Sequence, residues 1–371
     1  MRNLHLQTLA TATLLATAPL TAALAQKAAL ATKAASAKAA TTTSAPLAAM
    51  FTSYWEDQAK LFPLGATAQG DNRYNDQLPN DQTRAFRRQQ QRFYQQYLAS
   101  LLKFDRATLA GEDQVSYDVF RYQLEMALEG LRQPRWMMPF GQAGGLPQSM
   151  AQLGSGTGSQ PFKTAKDYDN WLGRVHGFTV WTDSAIANFR QGIKAGVVLP
   201  KALVIKMIPQ LDALVVADAT KSMFYGPITK LPDAMPPADK ARLTTAYQQA
   251  IRAELVPAYQ KLSAFLKNEY LPVARSTSGF GALPGGPAAY RYAVKSATTT
   301  TKTPDEIYQT GLSEVSRLRT EMERVKKEVG FEGDLPAFFA YIKTSPGFGP
   351  TKRRRRCLMG LKPFTSVCCP T

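Results

Sequence analysis

Residues 303–330 read TPDEIYQTGLSEVSRLRTEMERVKKEVG, and the periodicity of this stretch decides the fold class. Thr303 and Glu306 stand at capping-box spacing, Pro304 takes the first helical position, and Gly330 supplies a stop. Between them Ile307, Gly311, Val315, Leu318, Met322, Val325 and Val329 recur at steps of four and three, while Arg317, Glu321, Arg324 and Glu328 fall on the other side. That pattern predicts a long helix with its apolar stripe set against a core.

The same signals repeat upstream. Thr164-Ala165-Lys166-Asp167 is a second capping box. Behind it Tyr168, Leu172, Val175, Phe178, Ile186, Phe189 and Ile193 continue to Gly196, as one long helix or two stacked ones. Pro200 opens a helix with Leu203, Met207, Leu211 and Leu214 on one face and Pro209 as a kink. Pro236-Pro237 opens another, with Leu243, Tyr247, Ile251, Leu255, Leu262 and Phe265 as its stripe and Pro257 as a kink. Earlier helices are expected at 48–61, 82–103 and 112–131, where Tyr54, Trp55, Phe62, Phe93, Tyr94 and Tyr97 read as core aromatics. The expectation is a mainly α protein built of long helices. Two segments depart from it. Gly141 to Gln160 is rich in Gly, Ser and Gln and reads as a long loop. Gly279 to Thr301 passes into Tyr290, Tyr292 and Val294 at strand-like spacing and suggests a short hairpin or edge strand.

At the amino end a basic Arg2, an apolar stretch from Leu6 to Leu24 and a small-residue run before Gln26 have the order of a secretory signal peptide, residues 1–25. The expected address is therefore periplasmic or extracellular. A membrane anchor is disfavoured because the apolar stretch is Ala- and Thr-rich and lacks a basic stop flank, and a lipid anchor because no cysteine follows the cleavage site. Residues 26–46 are nearly all Ala, Thr, Ser and Lys, a tether composition with little apolar surface to offset the entropy of ordering. Globular sequence is expected over 47–350. There the charge is +7 of the chain's +17, so most of the basicity belongs to the ends and nucleic-acid binding is disfavoured.

The composition also bounds the chemistry. His5 and His176 are the two histidines, and His5 leaves with the signal peptide. One remaining histidine cannot form a His-His zinc site or an H-E-x-x-H helix, and a Ser-His-Asp triad could use only His176, whose place in a helical pattern suits a surface or half-buried histidine. The run Gly154-Ser155-Gly156-Thr157-Gly158 lacks the Lys-Ser/Thr ending of a P-loop. The stretch Gly70-Asp71-Asn72-Arg73-Tyr74-Asn75-Asp76 lacks EF-hand spacing, and turn capping with an Asp-Arg contact is the expected use. No catalytic residue, metal ligand or cofactor is expected within this chain. Tyr290 and Tyr292 are the candidate substrate-binding residues.

Several separated motifs carry a resemblance. They are the run from Tyr54-Trp55-Glu56 through Phe62-Pro63-Leu64-Gly65 to Asp76, then Gln160-Pro161-Phe162 with Asp167-Tyr168, then Tyr290-Arg291-Tyr292 with Thr303-Pro304-Asp305-Glu306. Asp334-Leu335-Pro336 and Thr344-Ser345-Pro346 continue the series. Over about residues 47–350 the chain resembles the bacterial family catalogued as domain of unknown function 885. The resemblance implies an exported, mostly helical protein grouped with zincin metallopeptidases, of which this chain is similar to the front part. Full-length members are expected to bind zinc through an H-E-x-x-P-G-H type helix and a later E-G-W segment, and to act on peptides. Neither motif occurs in these residues.

From Lys352 the composition changes abruptly. Residues 353–356 are four arginines, and Cys357, Cys368 and Cys369 are the chain's three cysteines. The expected origin of residues 351–371 is a frameshifted or prematurely ended reading frame, and a basic tail for nucleic acid or anionic lipid is the rival. The functional expectation is a truncated, non-catalytic member of a zinc-peptidase-like family. Its alternative is an envelope module that binds a peptide or glycan through the 141–160 loop and the Tyr290 region. Deleting Lys352 to Thr371 is expected to leave the unfolding midpoint unchanged and to reduce aggregation in oxidising buffer, because the segment has no apolar period and carries all three thiols. Melting and size-exclusion profiles of the two forms check this, and lost helix content in the shorter one would contradict it.

Overall fold

A computed structural model describes residues 44–345. The expected signal peptide, nearly all of the expected tether and the expected aberrant tail lie outside the described residues. The described chain is helical and its β-structure consists of two isolated bridges, Gly141 with Gly144 and Pro200 with Arg275. The chain divides into two compact units, the first ending at Tyr292 and the second beginning at Ala293. Among the described residues no helix is long and apolar enough to cross a membrane.

The first unit opens with α1 (Ala45–Leu61), α2 (Pro63–Ala68), α3 (Arg84–Leu101) and α4 (Gly111–Gly130). In α1, Leu47 is fully buried, and the Ser44 amide just before the helix donates to the buried Asp113 carboxylate at 2.8 Å. These helices share an aromatic core. Tyr54 meets Phe93, Tyr97 and Phe120 at ring distances of 5.1, 5.0 and 4.7 Å, and burial pushes its hydroxyl up to about 12. Of the expected core aromatics, Trp55 is the one left at the surface.

The larger core surrounds α6 (Ala165–Ala195), a single 31-residue helix. Thr164 and Asp167 cap it reciprocally, and Gly196 ends it at φ +71°, a conformation in which a Cβ would be strained. Its buried face carries Tyr168, Trp171, Val175, Phe178, Trp181, Ile186 and Phe189. Against it pack α5 (Leu146–Gly154), α7 (Lys201–Asp212), α8 (Pro237–Ala250) and α9 (Val256–Phe265). Three buried tyrosines donate to backbone carbonyls, Tyr168 to Pro227, Tyr247 to Tyr168 and Tyr259 to Pro147, so each hydroxyl keeps a partner away from water.

The stripe expected for α8 and α9 is buried throughout. The prolines act differently from simple kinks. A π turn, Ile251–Leu255, precedes Pro257, and a second, Leu266–Tyr270, precedes Pro272. A helical proline has no N–H for the carbonyl four residues back and its ring crowds that carbonyl, so a widened turn relieves both conflicts. In α7 the inward residue is Val204 in place of the expected Leu203, which is 36% exposed.

Two expectations for local structure fail. Half of the expected 141–160 loop is α5, because Leu146, Met150 and Leu153 share a helical face that the surrounding Gly, Ser and Gln obscure; Met150 is fully buried. The expected hairpin is α10 (Gly286–Thr298), which starts in the first unit and ends in the second. Pro287 near its start and Ala288, Ala289, Ala293 and Ala297 along it outweigh three alternating residues.

The second unit continues with α11 (Pro304–Glu328) and α12 (Leu335–Thr344). The predicted capping box of α11 is present: the Glu306 amide donates to Thr303 Oγ1 at 3.2 Å and the Thr303 amide to Glu306 Oε2 at 2.7 Å. The Thr303 amide and hydroxyl hold the Glu306 carboxyl below the usual range. The cap is therefore complete above the ordinary carboxylate pKa and is lost as pH falls through the lowered one. Thr303→Ala is expected to cost about 1 kcal/mol of local helix stability. Hydrogen exchange at the first turn of α11 measures it, and unchanged protection would contradict the cap.

The expected core role of α11 is not met: none of its residues is buried. Val315 is 66% exposed and Leu318, Met322, Val325 and Val329 are 41–46% exposed. An apolar period states that a face needs cover without stating that the same unit supplies it. Part of the cover comes from α12, capped by Asp334 and closed onto α11 by the Lys326 ammonium, which donates to Gly333 O at 2.6 Å. Phe338 is buried there against Phe331.

Candidate functional site

A groove of about 380 Å³ runs along α6 in the first unit. Asp183, Ile186 and Arg190 line one wall at helical steps of three and four; Lys261, Ala264, Phe265, Asn268 and Glu269 line the other. Asn268 and Glu269 belong to the second π turn, so the widening beside Pro272 shapes this wall. Arg190 forms a two-pronged pair with Glu269, at 2.7 and 2.8 Å, and lies 5.6 Å above the Phe265 ring. Lys261 pairs with Asp183. Arg190 holds the Glu269 carboxyl below the usual range.

The groove therefore offers an apolar floor between two ion pairs. Arg190 stabilises the Glu269 carboxylate as an anion, and neither a hydroxyl nor a thiol is among the lining residues, so the groove can bind an amphiphilic or zwitterionic group.

Tyr290 and Tyr292, the residues expected to bind substrate, both lie on α10. Tyr290 is 48% exposed and stacks on Phe280 at 6.3 Å; Tyr292 donates to Met126 O at 3.1 Å and is half-buried. Two residues apart on a helix, they point to different sides of α10. The glycine-rich run is a packed turn: a Cβ at Gly154 would meet Trp171 at 2.4 Å, and one at Gly158 would meet Gln152 O at 3.0 Å.

His176 is 78% exposed at its side chain, and its Nδ1 stands 3.5 Å from Glu254 Oε2. Among the described residues no group of three or more His, Cys, Asp or Glu side chains could hold a metal ion. The donor set present does not fit the zinc that the resemblance implies, since one imidazole and one carboxylate fall short of the three protein ligands such a site uses.

The feature that sequence reading missed is Arg174. It is fully buried on α6, and its guanidinium donates to Thr67 Oγ1 at 2.7 Å and to the carbonyls of Tyr74, Gln77 and Pro63 at 3.2, 3.2 and 3.3 Å, as well as to Gln160 Oε1. Burial pushes its pKa down to about 10, so it remains a cation at neutral pH. The adjoining turn is held separately, by Arg73 pairing with Asp71, as its sequence suggested, and also with Glu56. Thus Pro63 to Gln77 and Gln160, segments that carry two of the separated motifs, converge on one cation that holds them to α6. The available signal was a charged residue between Trp171 and Phe178 on an apolar face.

The architecture defines a helical protein in which Arg174 draws two of the separated motifs into the packing of α6. Residues 63–359 match the family described as "Bacterial protein of unknown function (DUF885)", and the chain belongs to it. Its fold is similar to the crystal structure of the "putative lipoprotein from Colwellia psychrerythraea", with a TM-score of 0.66 and 18% identity over 86% of this chain. The chain spans 58% of that protein's length. No curated protein matches the sequence.

Proposed function

We propose that the chain is the helical scaffold of an exported protein related to zinc peptidases, and that it does not hydrolyse peptides by itself. Family membership and the fold shared with a longer bacterial protein support the reading. The observation that carries it is the position of His176, exposed on α6 with a single carboxylate beside it. In this reading the metal helix and the acidic segment belong to the part of longer relatives that this chain does not match. Zinc content after dialysis, measured with hydrolysis of a peptide library, tests the proposal. The expected result is less than stoichiometric zinc and no cleavage. One tightly held zinc per chain would overturn it, with Cys357, Cys368 and Cys369 shared between two chains as the first suspects. DNA downstream of the Lys352 codon that encodes an H-E motif in another frame would support the truncated origin.

The second reading, a non-catalytic envelope module for a peptide or glycan, is favoured by the groove along α6 with its apolar floor and paired charges. Calorimetric titration with zwitterionic dipeptides distinguishes it. Binding weakened by Lys261→Ala would support this module, and no heat at any concentration would remove it.

A further inference from the structure

We propose that α11 is one strand of a parallel, in-register two-stranded coiled coil formed by two copies of this chain. The inference goes beyond the scaffold reading and does not depend on it, since it rests on the exposed face of α11 and the charges beside that face.

The apolar positions of α11 repeat with a period of seven. Tyr308, Val315, Met322 and Val329 fall at the first position of successive heptads, and Gly311, Leu318 and Val325 at the fourth. Their spacing follows the coiled-coil seam, and in its central heptad β-branched Val315 at the first position with Leu318 at the fourth suits two strands. The side chains are available, since Tyr308 is 63% and Val315 66% exposed.

The flanking positions identify the occupant. Ile307, Glu314 and Glu321 lie on one edge of the seam, and Leu312, Arg319 and Lys326 on the other. In a parallel dimer each residue of the first edge meets the residue five places on in the second copy. The resulting facing positions are Ile307 with Leu312, Glu314 with Arg319, and Glu321 with Lys326. The first sets apolar against apolar and the second acid against base, while Lys326 is 12% exposed and held within its own chain by Glu323 and Gly333 O, both at 2.6 Å. An antiparallel arrangement would set Glu against Glu and base against base. A second copy of α11 thus has the charge pattern that this face requires. Glu314 and Glu321 now pair along their own helix with Arg317 and Arg324, in exposed contacts that exchange at little cost.

Sedimentation equilibrium of the full chain in reducing buffer tests the proposal. The expected mass rises to twice that of one chain with concentration. Leu318→Glu should return it to one chain without loss of helix content, because Leu318 is already 45% exposed. Glu314→Arg should weaken dimerisation about tenfold, and Glu314→Arg with Arg319→Glu should restore it. Oxidation of a Leu318→Cys variant should link the two copies through position 318 of each, a disulfide that an antiparallel pair would not form in register. A single-chain mass at every concentration would overturn the proposal. So would a dimer indifferent to Leu318→Glu, or Met322 protected from oxidative footprinting in the single chain by the chain's own residues.

Discussion

Arg174→Met is expected to lower stability by about 3–5 kcal/mol, more than any other single substitution proposed for this chain. Methionine fills much of the same volume but donates nothing, and the Arg174 site holds four carbonyl or hydroxyl oxygens from Pro63, Thr67, Tyr74 and Gln77 together with the Gln160 amide oxygen. Some of these keep a second partner: Thr67 Oγ1 also bonds Pro63 O and Asn75 Oδ1 at 2.9 and 2.6 Å. The loss is therefore less than five separate bonds would suggest. Arg174→Lys should recover only part of it, because one ammonium cannot fan across acceptors that a planar guanidinium spans. Urea unfolding of the first unit measures both variants. A Met variant within about 0.5 kcal/mol of the parent would show that the loop holds to α6 without the cation.

The second large effect concerns two glycines one turn apart on the same helix. A Cβ at Gly173 would stand 2.8 Å from Asp76 O, and one at Gly177 would stand 2.8 Å from both Leu78 O and Leu78 Cβ. The obstacles are backbone or fixed by it, so the loop must retreat from α6. Gly173→Ala and Gly177→Ala are each expected to destabilise by about 1–3 kcal/mol, against an intrinsic helix preference that favours alanine by about 1 kcal/mol. Gly311 is the control. It lies in α11 with nothing within 4 Å of its would-be Cβ, and Gly311→Ala should stabilise that helix by about 1 kcal/mol. Thermal melts and hydrogen exchange read the two signs. If all three substitutions stabilised, the close approach of residues 76–78 to α6 would be wrong.

These glycines, Arg174 and α11 mark the limit of what periodicity conveys. The helix over 165–195 was legible because capping box, stripe and terminal glycine agree, and the stripe from Leu243 to Phe265 is buried as its spacing implied. Local cues failed where composition outweighed period, as at α5, or where too few residues alternated to outweigh helix formers, as at α10. Tyr290 and Tyr292 lie in that segment, where a strand would have set both on one face and the helix separates them.

Sequence by itself determined that the protein is helical, where its long helices start and stop, and that one histidine remains beyond the expected signal peptide to serve any site. Those properties depend on neighbours within one or two turns, which the order of residues specifies. Tertiary structure alone decided that Arg174 would gather loops about 100 residues away, that two glycines in α6 would be points of contact, and that the stripe on α11 would stay exposed. A period of 3.6 or 3.5 marks which face seeks cover, whereas the identity of the cover depends on which distant surface reaches it.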